Sequence, residues 1–227
     1  MLEGKNLHKY YKMGETVVKA LRGADIKIEK GDFIFIVGPS GSGKTTLLDI
    51  LGALSRPTKG KVIYKGKELN KFSEYQLSMF RRKKIGFVFQ TYNLNKTLTA
   101  LENVLVPLQP QGITKKDKVK AKKLLKETGL EKRINHKPTQ LSGGEIQRVT
   151  VARAMINNPD IILADEPTGE LDTKTGDKVM KYMRKMNEEK DVSFLIVTHD
   201  TEYIEKGDRL IEMKDGNLIK KNKSIEK

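Results

Sequence analysis

Gly38-Pro39-Ser40-Gly41-Ser42-Gly43-Lys44-Thr45 has the residue types and spacing needed to hold a polyphosphate. Glycines at 38, 41 and 43 let backbone N–H groups converge on an anion, Lys44 adds a point charge, and the Thr45 hydroxyl can coordinate Mg²⁺. The run follows the continuous apolar stretch Phe33–Val37 and leads through Thr46 into a helical pattern ending at Leu54. That is the strand–loop–helix setting this spacing requires. A glycine-rich turn of purely structural use would need neither Lys44 nor Thr45.

A second group of residues could act on what the loop binds. Ile161–Ala164 reads as a buried strand ending in Asp165 and Glu166, with Pro167 stopping the extended run. Asp165, at the strand end, is placed to hold Mg²⁺ through water, and Glu166, one residue further, to take a proton from an attacking water. Gln90 ends the strand Ile85–Phe89 and His199 the strand Ser193–Thr198, so both should emerge at the edge where open α/β sheets bind ligands. There Gln90 could orient water or Mg²⁺, and a neutral His199 could hydrogen-bond a terminal phosphate. Leu141-Ser142-Gly143-Gly144-Glu145 looks like half of another phosphate site without a lysine. Ser142 and Glu145 form an S-x-x-E capping box, but capping does not explain two glycines in a first turn, where each costs about 1 kcal/mol relative to alanine. Close approach of an anion to the helix N-terminus does. One of Tyr10 and Tyr11 could stack on a base, or both could pack into a β layer.

These residues must be positioned by strands and helices. Residues 1–75 read as short strands and turns, including Val17-Val18, Ala24–Glu29 and Lys61–Tyr64. Apolar strand runs alternate with helical patterns elsewhere, which predicts an α/β core with a largely parallel sheet. From about residue 92 to 158 β-rich runs nearly vanish, and Thr114–Thr128 has helical spacing, with Thr114 and Asp117 as start signals and Gly129 as stop. The expected organisation is one domain over 1–227. A nucleotide-binding α/β core with its antiparallel β layer covers 1–91 and 159–222, a helical subdomain is inserted at 92–158, and a basic tail occupies 223–227.

Composition narrows the function classes. The 227 residues suit one domain with an appended subdomain. No run approaches the roughly 20 apolar residues of a membrane span, and the start lacks a signal-peptide pattern, so a cytoplasmic location is expected. With no cysteine and three unclustered histidines, a thiolate or zinc site is not expected, and any metal should be a hard cation held by oxygen. The net charge of +15 comes from 35 Lys and only nine Arg, interleaved with acidic residues. That pattern favours a solvated surface over a nucleic-acid footprint, since base readout leans on arginine.

Taken in order, Tyr11, Gly38–Thr45, Gln90, Leu141–Glu145, Ile161–Glu166, Leu171-Asp172 and His199 resemble the full motif set of an ABC-type ATPase: A-loop, Walker A, Q-loop, signature, Walker B, D-loop and H-loop. The resemblance implies a P-loop fold, Mg-ATP as ligand, and a head-to-tail homodimer that sandwiches ATP between the Walker A of one protomer and the signature of the other. Asp172 would communicate across that interface. It also implies a separate membrane permease and a peripheral place on the cytoplasmic face of the membrane. Arg82–Gln90 and Asp165–Gly169 are most similar to the lipoprotein-release and macrolide-export group. Glu145, Thr91-Tyr92 and Glu170 depart from the usual pattern. Alternatives within the resemblance are a force-transmitting, cell-division-type complex and a soluble protein of DNA repair or translation. The chain lacks the long coiled coil, zinc module or second ATPase half of the soluble class.

Overall fold

The computed structural model describes residues 1–220, which divide into two units: Met1–Arg81 with the described residues from Ser193 onward, and Arg82–Val192. The basic tail at 223–227 lies outside the described residues.

In the first unit, β1 (Leu2–Met13) and β2 (Thr16–Ile28) form a long antiparallel hairpin. The short strands expected at Val17-Val18 and Ala24–Glu29 are parts of β2. Gly23, at φ 106°, sits where the register slips between the pairs Leu7↔Ala24 and His8↔Arg22. It bulges the strand instead of ending it, because glycine accepts positive φ without strain. Next come β3 (Phe33–Val37), α1 (Lys44–Leu51), β4 (Lys59–Tyr64), β5 (Lys67–Glu68) and the start of α2 (Glu74–Lys84). β4 pairs antiparallel with β1, giving the layer β2-β1-β4-β5.

The second unit holds β6 (Ile85–Val88), α3 (Ala100–Leu105), α4 (Lys115–Glu127), α5 (Gly143–Met155), β7 (Ile161–Asp165) and α6 (Thr173–Lys190). β6 and β7 run parallel, in register from Ile85↔Ile161 to Val88↔Ala164. α5 packs so close to β6 that a Cβ on Gly86 would stand 2.6 Å from the Ala154 carbonyl oxygen. Side chains cap each of these helix starts. Thr99/Glu102, Thr114/Asp117 and Ser142/Glu145 make reciprocal capping boxes, and Asp172 caps α6 by accepting from the Thr175 N–H.

The chain then returns to the first unit through β8 (Ser193–Thr198), β9 (Arg209–Lys214) and β10 (Asn217–Lys220). β8 and β9 flank β3 in parallel, and β9 turns back into β10 at Asp215-Gly216. All six residues of β8 and the first four of β3 are buried, which explains their unbroken apolar character. The fold is thus α/β with parallel core strands and an antiparallel β layer.

Candidate functional site

The Gly38–Thr45 loop is shaped by contacts that only glycine permits. A Cβ on Gly38 would lie 2.1 Å from the Met213 carbonyl oxygen, and one on Gly43 would lie 2.4 Å from that of Ala20. Gly41, at φ 78°, has nothing within 4 Å of its Cβ position and faces open space. A Ser42 N–H to Pro39 carbonyl bond of 3.2 Å closes the turn, and the Ser42 carbonyl accepts from Gly216. α1 then starts at Lys44, two residues before the sequence pattern suggests, because the loop backbone enters helical geometry directly from Gly43. That N-cap provides no side-chain hydrogen bond. The first N–H groups of α1 therefore remain available to a ligand.

Three further features fit a triphosphate. Lys44 is only 7 % exposed, and its ammonium donates to the carbonyl oxygens of Gly38 (2.7 Å) and Pro39 (3.1 Å). The Ser42 hydroxyl is buried without a hydrogen-bond partner, a cost that an anionic oxygen would remove. Pro39, Ser40 and Thr45 are exposed. In the same unit, register Val37↔Thr198 brings the ends of β3 and β8 side by side, so Gly38 and the exposed His199 leave the sheet at one edge. The two tyrosines separate clearly. Tyr10 is hydrogen-bonded through its hydroxyl to His8 at 3.1 Å, whereas Tyr11 is 40 % exposed beside Val18, with the Lys9 ammonium 5.3 Å from its ring centre.

The second unit assembles the remaining motifs. Asp165 ends β7, and Glu166 follows with φ 44°, a left-handed conformation that costs a non-glycine residue about 1–2 kcal/mol. Strain of this kind persists where surroundings enforce it. Here the Gly169 N–H bonds to the Glu166 carbonyl oxygen, and Gln147 of α5 donates 2.7 Å to the Pro167 carbonyl oxygen. Gln90 reaches the same turn, its Nε2 standing 4.0 Å from the Cβ position of Gly169.

At the start of α5, the Ser142 hydroxyl accepts from the Glu145 N–H (3.3 Å) and the Glu145 carboxylate accepts from the Ser142 N–H (2.9 Å). The two glycines have different causes. A Cβ on Gly144 would lie 1.9 Å from Thr175 Cγ2, so Gly144 is required where α5 crosses the start of α6. Gly143 has only ordinary neighbours, Tyr92 Oη at 3.4 Å and Leu171 Cδ2 at 3.6 Å, so packing does not demand it. Asp172 is the N-cap of α6, and its hydrogen bonds with Thr175 hold its carboxyl below the ordinary value.

Several contributors carry no motif signal. Arg153 donates to the carbonyl oxygens of Asn93 (2.5 Å) and Tyr92 (2.9 Å), holding two consecutive residues at φ 50° and 60° just after Gln90. Burial lowers its pKa to about 10. Arg133 donates 2.9 Å to Glu145. Neither these partners nor Gln147's could be found by spacing, since most are backbone carbonyls distant in sequence.

A glycine-rich loop ending in Lys44 and Thr45 on an α/β scaffold, with a second glycine-marked helix start in the other unit, has the features of a P-loop ATPase. The family model described as ABC transporter matches residues 21–169, and the chain belongs to the ABC transporter family as an ATP-binding, ATP-hydrolysing domain. It is 48 % identical over 228 residues to the uncharacterized ABC transporter ATP-binding protein MJ0796 of Methanocaldococcus jannaschii, spanning 98 % of this chain and 97 % of that one. It is also 45 % identical over 223 residues to the lipoprotein-releasing system ATP-binding protein LolD of Wigglesworthia glossinidia brevipalpis, over 98 % of this chain and 97 % of the relative. The solved dimeric, post-hydrolysis structure of MJ0796 bound to ADP and Pi superposes with TM-score 0.89 at 46 % identity, covering 97 % and 98 % of the two chains.

Proposed function

We propose that this chain binds Mg-ATP between two copies of itself, arranged head to tail, and passes the resulting closure to a separate membrane permease of the export or extraction type. The reading rests first on the phosphate loop: an uncapped α1, the buried Lys44 and the orphaned Ser42 hydroxyl together call for an anion. Bound ATP supplies the phosphoanhydride bond whose hydrolysis drives the cycle. Gly38–Thr46 cradle the phosphates, and Lys44 offsets their charge. Tyr11, exposed where Tyr10 is tied to His8, stacks on adenine. Thr45, Gln90 and Asp165 hold Mg²⁺. Glu166 takes the proton of the attacking water, and His199 donates to the terminal phosphate.

Gly143, which packing does not demand, supports assigning Ser142–Glu145 to ATP held by the other protomer, with Asp172 beside that contact. The dimeric, ADP- and Pi-bound state of MJ0796 supports dimerisation, and the similarity to LolD and to a macrolide export ATP-binding/permease protein supports the export leaning. No helix among the described residues is long and apolar enough to cross a membrane. The permease is assigned to the helical subdomain, docking near Thr91–Val106. The test is E166Q. Turnover should fall at least 10²-fold while ATP-dependent dimers accumulate in sedimentation, and unchanged turnover with no dimer would reject the mechanism.

A further inference from the structure

The capping box at α5 creates an electrostatic conflict. The Glu145 carboxylate places a full negative charge beside the helix N-terminus that the composite-site reading assigns to a nucleotide phosphate. A carboxylate there already satisfies the helix dipole, and two anions so close repel each other. The conflict has a structural answer in the same unit. One carboxylate oxygen of Glu145 accepts from the Ser142 N–H at 2.9 Å, and the other accepts from Arg133 Nε at 2.9 Å. Glu145 is four-fifths buried, with side-chain exposure of 20 %, and Arg133 is half-exposed at 45 %. The Ser142 N–H and then the Arg133 guanidinium hold the Glu145 carboxyl below its ordinary value.

Arg133 is itself anchored. Its Nη1 lies 3.4 Å from His136 Nε2, and the adjoining Ile134 and His136 carbonyl oxygens accept from Leu101 and Ala100 at the start of α3. The guanidinium thus reaches α5 from a segment tied to another helix.

We propose that Arg133 is a positioning residue that neutralises Glu145 and so keeps the N-terminus of α5 receptive to the nucleotide phosphate. The inference rests on the composite-site reading above. Without Arg133, the carboxylate would stay in the capping box as an unbalanced charge facing the phosphate. Replacing Glu145 with its amide would remove the charge while keeping an oxygen for the Ser142 N–H.

The experiment is a double-mutant cycle read as the ATP concentration needed for dimerisation in the E166Q background, by sedimentation, with thermal melts to confirm folding. R133A should weaken ATP-driven dimerisation about tenfold, and R133K less than threefold. In the E145Q background the same R133A change should cost less than threefold. The proposal is overturned if R133A dimerises like its parent, if R133K is as weak as R133A, or if the loss persists undiminished with E145Q, which would make Arg133 a structural brace only. If E166Q itself fails to dimerise with ATP, the composite-site reading falls and the role of Arg133 falls with it.

Discussion

Replacing Arg153 with methionine separates local order near Gln90 from global stability. Arg153 is taken largely out of water, and the lowering of its pKa to about 10 by burial corresponds to about 3 kcal/mol spent on keeping the charge. Its two hydrogen bonds, to the carbonyl oxygens of Tyr92 and Asn93, are charge-assisted and contribute about 1.5–3 kcal/mol each. The difference leaves a net contribution of about 0–3 kcal/mol, so R153M should remain folded. The local effect is larger. Tyr92 and Asn93 sit at φ 60° and 50°, and left-handed geometry costs about 1–2 kcal/mol for an ordinary residue, less for asparagine. Once unclamped, that turn should open at least tenfold more often. Amide hydrogen exchange can read this directly, because Tyr92 and Asn93 N–H groups bond to the Phe89 and Thr91 carbonyl oxygens inside the turn. Exchange over residues 91–95 should accelerate at least tenfold while the urea midpoint moves little. Turnover should fall with Gln90 misplaced. Unchanged exchange in that segment, or a stability loss beyond about 5 kcal/mol, would show that Arg153 does not clamp the turn.

Two other outcomes follow from the same geometry. G144A drives a methyl into Thr175, costing about 1–3 kcal/mol against a gain of about 1 kcal/mol in helix propensity; urea unfolding should show a net loss that T175A restores, while G143A should leave stability within about 1 kcal/mol of the parent and weaken ATP-driven dimerisation. Glu102, Asp117, Glu145 and Asp172 have depressed carboxyl pKa values, caused mainly by hydrogen bonds to the helix starts they cap. A depressed carboxylate stabilises the fold above its unfolded pKa, and the stabilisation is lost as pH falls through the folded value. Thermal melts should therefore hold between pH 8 and 6 and drop below about pH 4.5, and a melting temperature unchanged down to pH 3 would contradict the capping account.

The backbone setting of the candidate site is legible in the sequence where it is built from contiguous residues. Gly38–Thr45 and Asp165-Glu166 need a strand end and a tight turn, and sequence spacing encodes both. The capping pairs Ser142/Glu145 and Thr114/Asp117 are equally readable, because a side chain three residues away is the acceptor. Thr99/Glu102 carries the same T-x-x-E signal ahead of α3, but the helix is only six residues long, too short for its apolar spacing to stand out. β1 does not read as a continuous strand, because His8, Lys9, Tyr10 and Lys12 break apolar alternation on a half-exposed hairpin. The reason for Gly144 lies on another helix, at Thr175. Arg133, Gln147 and Arg153 bond across loops or to backbone oxygens, and nothing in residue type or spacing announces such partners. The positive φ of Glu166 is imposed by its turn and leaves no sequence trace.

On the proposed mechanism this chain is catalytically incomplete alone, its signature serving the ATP of another copy. S142R puts a bulky cation at the exposed N-cap of α5, in the unit that does not carry the phosphate loop. ATP titration of the monomer and sedimentation with ATP, run in parallel on S142R, separate binding by one copy from assembly of two. Monomer affinity should stay within about threefold of the unmodified chain, with neither ATP-dependent dimer nor turnover. Loss of monomer ATP binding, or dimerisation and turnover at the unmodified level, would contradict it.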